Sequence, residues 1–160
     1  MKFMKLFLLG LTLISGLLCV RQAYAQGNYQ TYTNARFAYA IAYPADLLIP
    51  QGEADNGDGQ KFISKDGRAV LLVYGSHNAL NQKLKEAFAE ASAPTDDRQV
   101  TYKILRADWF VVSGKAGEKI FYQKTLLKNG VFKTFRIEYD ESQKNIYDTV
   151  TAKIAKSFKG

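Results

Sequence analysis

The segment EKIFYQKTLLKNGVFKTFRIEY, residues 118–139, carries the clearest structural signal of the chain. Its two halves, Glu118–Leu127 and Val131–Tyr139, are rich in β-branched and aromatic residues and are joined through Asn129-Gly130. Both central residues of that dipeptide tolerate positive φ, as a type I′ turn requires, so the segment reads as an antiparallel hairpin. In its second strand Phe135, Ile137 and Tyr139 point one way while Thr134, Arg136 and Glu138 point the other. That is the alternation of an antiparallel strand with one wet face.

The pattern continues on both sides. Val100–Leu105 and Trp109–Ser113 read as further strands, set off by Asp108 and by Gly114-Lys115-Ala116-Gly117. After the hairpin, Ile146, Val150, Ile154 and Phe158 mark an amphipathic helix over about Gln143–Ser157, with Lys144, Lys153 and Lys156 on its other side. Before these strands, Leu80, Leu84 and Phe88 recur every four residues beside Ala87 and Ala91, which predicts another helix. Ser76-His77-Asn78 can cap it, and Ser92 to Arg98, containing Pro94, ends it.

Ala69–Tyr74 is apolar on both faces and predicts a central strand covered on both sides. Lys65-Asp66-Gly67-Arg68 ties it to Lys61–Ser64 as a hairpin. Gln51–Gly59 is rich in turn formers and predicts an exposed loop. Phe37–Tyr43 alternates large and small residues, so Phe37, Tyr39, Ile41 and Tyr43 face the core and the alanines face something close-packed. Pro44 ends that strand. Tyr29–Thr33 is a short strand before a turn at Asn34-Ala35-Arg36. Short hairpins without a βαβ rhythm give an α+β domain: an antiparallel sheet of about six to seven strands flanked by two helices. No repeat or linker divides residues 26–160, which form one domain.

The first 25 residues read as an address. Lys2 and Lys5 precede an uncharged apolar run, Leu6–Val20, and Ala23-Tyr24-Ala25 supplies the small residues a signal peptidase reads before Gln26. A run of 15 residues spans roughly 22 Å as a helix, short of the roughly 30 Å hydrocarbon core. Lipidation at Cys19 needs small residues before it, and Leu17 and Leu18 stand there instead. Removing the segment takes away Lys2, Lys5 and Arg21 and no acid, so the net charge of +7 falls to +4. The remaining domain carries no cysteine and is indifferent to the redox state outside the cytoplasm.

Several landmarks carry a family resemblance: Tyr32 with Phe37, Tyr39, Ile41, Tyr43 and Pro44, then Asp58-Gly59-Gln60-Lys61-Phe62 and Ser64-Lys65-Asp66-Gly67. Trp109-Phe110-Val111-Val112-Ser113-Gly114, Tyr147-Asp148 and Ser157-Phe158 follow later. Together they resemble PsbP-like and DcrB-like exported bacterial proteins over nearly the whole domain. The resemblance implies a six- or seven-stranded antiparallel sheet between helices, and an adaptor or envelope protein more often than an enzyme. The shared residues are turns and core positions, so no functional residue is carried over.

Candidate chemistry is thin. Glu53, Asp55, Asp58 and Asp66 invite a calcium reading, but an EF-hand begun at Asp55 puts Gly57, Gly59 and Asp66 where other ligands belong, so a solvated loop is expected. His77, the one imidazole, has Ser76 beside it, yet neither Ser76 nor Ser113 sits in a nucleophile elbow, and His77 is read as a loop or cap residue. Gly57 and Gly59 lack the further glycine and strand-to-helix setting of a nucleotide loop. Asp96-Asp97 is read as a turn, and Asp140-Glu141 as acids at the start of the last helix, where its dipole favours them. Trp109 is expected in the core. The lysines of the last helix are read as a solvated face.

No catalytic, cofactor or metal residue is therefore assigned, only the cleavage positions Ala23, Ala25 and Gln26. The expected function is non-enzymatic: a periplasmic or secreted adaptor that binds a protein or complex of the bacterial envelope. Nucleic acid is not a partner, membrane contact is at most peripheral, and the oligomeric state is left open. Two alternatives stand: a cofactor-free hydrolase whose acids converge only in space, and a small-ligand carrier with a closed apolar pocket between sheet and helix. The carrier fails if Leu84, Phe88, Val150 and Ile154 fill that space.

Overall fold

The computed structural model describes residues 27–160. The segment expected to be a signal peptide, with Cys19, Ala23 and Ala25, and the following Gln26 lie outside the described residues. A two-stranded hairpin, β1 (Tyr29–Asn34) and β2 (Tyr39–Pro44), comes first. The main sheet follows: β3 (Leu48–Glu53), β4 (Gly59–Ser64), β5 (Ala69–His77), β6 (Arg98–Leu105), β7 (Trp109–Ala116), β8 (Lys119–Lys128) and β9 (Val131–Asp140). Helix α1 (Leu84–Ser92) connects β5 to β6, and α2 (Lys144–Ser157) follows a 3-10 turn at Glu141–Gln143. The seven strands pair antiparallel in the order β3-β4-β5-β9-β8-β7-β6. The β8–β9 hairpin sits near the middle of the sheet, with Asn129 at φ 52° and Gly130 at φ 70°, as its turn requires.

The fold is the α+β arrangement that the sequence predicts, with a change of membership. β1 and β2 form their own small sheet, and β3 supplies the seventh strand. The predicted loop over Gln51–Gly59 is strand as far as Glu53, because Leu48, Ile49 and Pro50 pair with Ser64, Ile63 and Phe62. Pro50 and a bulge before Glu53 give this edge strand the composition of a turn, and both blunt the edge against unwanted pairing.

Each face of the sheet buries a different core. Over one face lie α2 and the β1–β2 hairpin. Phe37, Tyr39, Ile41 and Tyr43 pack there against Leu71, Val73, Phe135 and Ile137, with Val150, Ile154 and Phe158 from α2 and its end. The alanine side of β2 meets the end of the chain: Ala40 bridges to Lys159, and the Ala42 N–H donates to Ser157 Oγ at 2.9 Å. Over the opposite face lies α1, whose Leu84, Ala87, Phe88 and Ala91 pack on Phe110, Val112 and Phe121. The helix starts four residues later than predicted. Leu80 is 91% exposed, because Asn81 turns the chain at φ 51° and Asn78 Oδ1 accepts the Gln82 N–H at 2.8 Å, closing a turn ahead of the helix.

Because α1 lies over β6 and β7, the half of its face formed by β3, β4 and β5 is left uncovered. The expectation that β5 is covered on both sides is thus corrected. Leu71 is 0% exposed beneath α2 and the hairpin, while its neighbour Leu72, on the other face, is 41% exposed.

Candidate functional site

Two surface features follow from this architecture. The first is a groove of about 560 Å³ between α2 and strands β8, β7 and β6. Lys144, Asp148, Thr151, Ala152 and Ala155 form its helical wall. Their spacing of three and four residues places them on one stripe of α2, beside the stripe that is buried. The floor holds Ser113 on β7 and its register partner Tyr122 on β8, and Tyr102 on β6, opposite Ser113, continues the row beyond the groove's outer margin. Cross-strand partners share a face, so these side chains stand together.

The polar groups of the groove are held in place. Tyr139 donates its hydroxyl to Asp148 Oδ1 at 2.7 Å. At one end Lys115 Nζ pairs with Glu141 Oε1 at 2.8 Å, and this bond holds the Glu141 carboxyl below its ordinary pKa. Burial pushes the Tyr122 phenol up to about 12, with the neighbouring Tyr102 adding to the shift, so the hydroxyl keeps its proton at any physiological pH. The Thr151 Oγ1 is buried next to the Tyr139 phenol, and its hydroxyl lowers the pKa that burial and Asp148 raise there.

The second feature is the uncovered half of the sheet. Ile49, Ile63 and Val70 lie in one cross-strand row, and Lys61, Leu72 and Arg136 in the next. Ile49 is 39% exposed, which with Leu72 gives large apolar side chains on the surface of paired strands. Arg136 is neutralised by Glu138 at 2.5 Å. Lys61 has no ion pair among the described residues, so the patch is apolar with one free cation.

The structure distributes the sequence candidates rather than gathering them. Glu53 Oε1 accepts from Tyr32 Oη at 2.6 Å and Asn34 Nδ2 at 3.0 Å. Asp58 accepts from Asn56, and Asp66 accepts from Ser64 and Gln143. Asp55 is exposed in the loop. Among the described residues no three His, Cys, Asp or Glu side chains come together to hold a metal. His77 and Ser76 are exposed at the end of β5, with the imidazole against Phe37 at 5.1 Å, and Ser113 donates to the Phe121 carbonyl. Asp97 accepts from Thr95 in the turn before β6.

Asp140 and Glu141 do not sit at the start of α2, which begins only at Lys144 after the 3-10 turn. Asp140 is drawn to Arg68 at 2.7 Å and Glu141 to Lys115 instead. Trp109 is only half-buried, because it opens β7 at the strand's end with the cations of Arg106 and Lys124 over its ring. Lys144, Lys153 and Lys156 are exposed, and Lys153 lies over the Tyr29 ring.

The geometry also bears on the two alternatives. Leu84, Val150 and Ile154 are buried, and Phe88 packs beside Leu84, so the space between sheet and helices is filled with side chains. A closed carrier pocket fails on that ground. The acids of the groove are Glu141 and Asp148, both exposed. Glu141 carries a lowered pKa, opposite to the raised value that a general acid of glycoside hydrolysis requires.

The groove was missed in sequence because its wall is the second stripe of a helix whose first stripe supplies the apolar signal. No protein-family model matches the chain, and no curated protein matches its sequence. Among solved structures it is similar to the cyanobacterial PsbP of Synechocystis sp. PCC 6803, determined in solution. The two share 16% identity and a TM-score of 0.64 over 83% of this chain and 92% of that one. That likeness shows the PsbP-like fold. No helix among the described residues is long and apolar enough to cross a membrane.

Proposed function

We propose that this chain is an exported, non-enzymatic adaptor of the bacterial envelope, a PsbP-like or DcrB-like protein that binds another protein through the uncovered half of its sheet. One observation carries the reading: β5 is paired on both sides, yet it leaves Leu72 41% exposed among Ile49, Ile63 and Val70. Contiguous apolar side chains on rigid, paired strands mark binding surfaces more often than chemistry. Lys61 within the patch favours a partner that sets an acidic side chain among apolar ones. Export follows from the leader, with cleavage after Ala25 leaving Gln26 as the first residue.

The test uses the chain purified from the envelope fraction. Its N-terminal mass is expected to begin at Gln26, and a mass that retains residues 1–25 contradicts export by cleavage. Immobilised mature chain is expected to capture a specific protein from detergent-free envelope extract. Leu72→Asp is expected to abolish that capture, whereas the groove variant Asp148→Asn is expected to leave it intact. Capture that is indifferent to Leu72→Asp refutes the surface.

A further inference from the structure

We propose that the groove between α2 and strands β6–β8 binds a neutral oligosaccharide. Its charges balance: Lys115 is paired with Glu141, and the helical wall adds one cation, Lys144, and one anion, Asp148. A charged polymer gains nothing from a groove with no net charge. What remains is suited to hydroxyl groups and flat sugar faces. Asp148 is fixed by Tyr139 through Oδ1, and its Oδ2 has no donor among the described residues. It is therefore an acceptor already oriented before a ligand arrives.

The Tyr122 phenol, protonated throughout the physiological range, has no hydrogen-bond partner among the described residues and offers both a donor and an acceptor. The Thr151 hydroxyl, in a residue 5% exposed, lies buried beside the Tyr139 phenol that fixes Asp148. The row Tyr102–Ser113–Tyr122 supplies aromatic area, and Tyr102 is 55% exposed at its outer end.

The volume of about 560 Å³ falls within the range of ligand sites, and the groove is open along the helix, which suits a chain rather than an enclosed small molecule. The usual peptide modes fit less well. The adjacent edge strand β6 is bulged between Val100 and Tyr102 and carries Lys103, which discourages an added strand. The helical wall offers alanines instead of an apolar cleft, and the compensated cations leave no arginine cluster for an acidic motif.

The test titrates the isotope-labelled mature chain with chitotetraose and, separately, maltotetraose, each to about 10 mM, which reaches the weak millimolar range of a single open site. Saturable amide shifts are expected at Ser113, Tyr122 and Asp148 with at least one of the two sugars. Asp148→Asn and Tyr122→Phe are each expected to weaken that binding at least about tenfold. Leu72→Asp, on the opposite face, is expected to leave it unchanged, so loss of the partner surface and loss of the sugar site are read separately. Absence of saturable shifts with both sugars overturns the proposal. Shifts at the groove with a proline-rich or a charged peptide, and none with the sugars, also overturn it. Sugar-induced shifts that survive both groove substitutions place the ligand elsewhere and refute it as well.

Discussion

Replacing Leu71 and Leu72 in turn by alanine deletes the same three carbons from adjacent residues of one strand. Leu71 is 0% exposed and packs within the core formed with α2 and the hairpin. A leucine in such a site loses both its transfer free energy and the contacts around the cavity it leaves, together about 2.7–5 kcal/mol. Leu72 is 41% exposed. At about 0.8 kcal/mol per fully buried carbon, with a little over half of that burial present, its truncation costs about 1.4 kcal/mol at most. Solvent already reaches the site, so no cavity contribution is added. The two variants are therefore expected to differ by at least about 1.3 kcal/mol. Urea unfolding of each, with the slope held to the parent value, reads the difference as a shift in midpoint. Losses equal within about 0.5 kcal/mol, the usual scatter of such comparisons, refute the uncovered face. So does a larger loss at Leu72.

Other consequences are equally direct. Asn34 is buried and receives the Phe37 N–H at 2.9 Å while donating to Glu53 and to the Gly57 carbonyl. Asn34→Ala leaves that N–H unpaired and is expected to cost about 1–3 kcal/mol in urea unfolding; no loss contradicts the latch between hairpin and loop. A Cβ at Gly114 meets the Gln99 carbonyl oxygen at 1.9 Å. Gly114→Ala must therefore push β6 from β7 and is expected to lower amide-exchange protection in β6 first; uniform protection refutes this. Asp66 has its pKa lowered to about 2, chiefly by the Ser64 hydroxyl. A depressed carboxylate stabilises above its unfolded value near 3.8 and loses that contribution as pH falls through about 2. Ser64→Ala is expected to move the Asp66 titration, followed by carbon NMR, up towards 3.8, and an unmoved titration contradicts the bond.

What could be read in the sequence follows a physical divide. β8 and β9 were legible because each is half-buried, so burial writes itself as alternation around a turn that demands Asn-Gly. The last helix was legible because Val150 and Ile154 recur on one side of it. β3 was hidden because an edge strand with Pro50 and a bulge borrows the composition of a loop. The open side of β5 was hidden too, since Val70, Leu72 and Tyr74 are as apolar as a covered strand and only the position of α1 exposes them. Leu80 kept the helical period while the backbone turned at Asn81. The groove depends on register across β6, β7 and β8 and on the side stripe of α2, and neither is a local property of the chain.

Protein binding by the uncovered half of the sheet is read out by placing a photo-crosslinking phenylalanine derivative at position 72 in living cells. A second site, at the exposed Thr149 of α2, serves as the comparison. A discrete adduct with one envelope protein from position 72, and none from position 149, is the result the structure predicts. No adduct at position 72, or the same adducts from both positions, contradicts it.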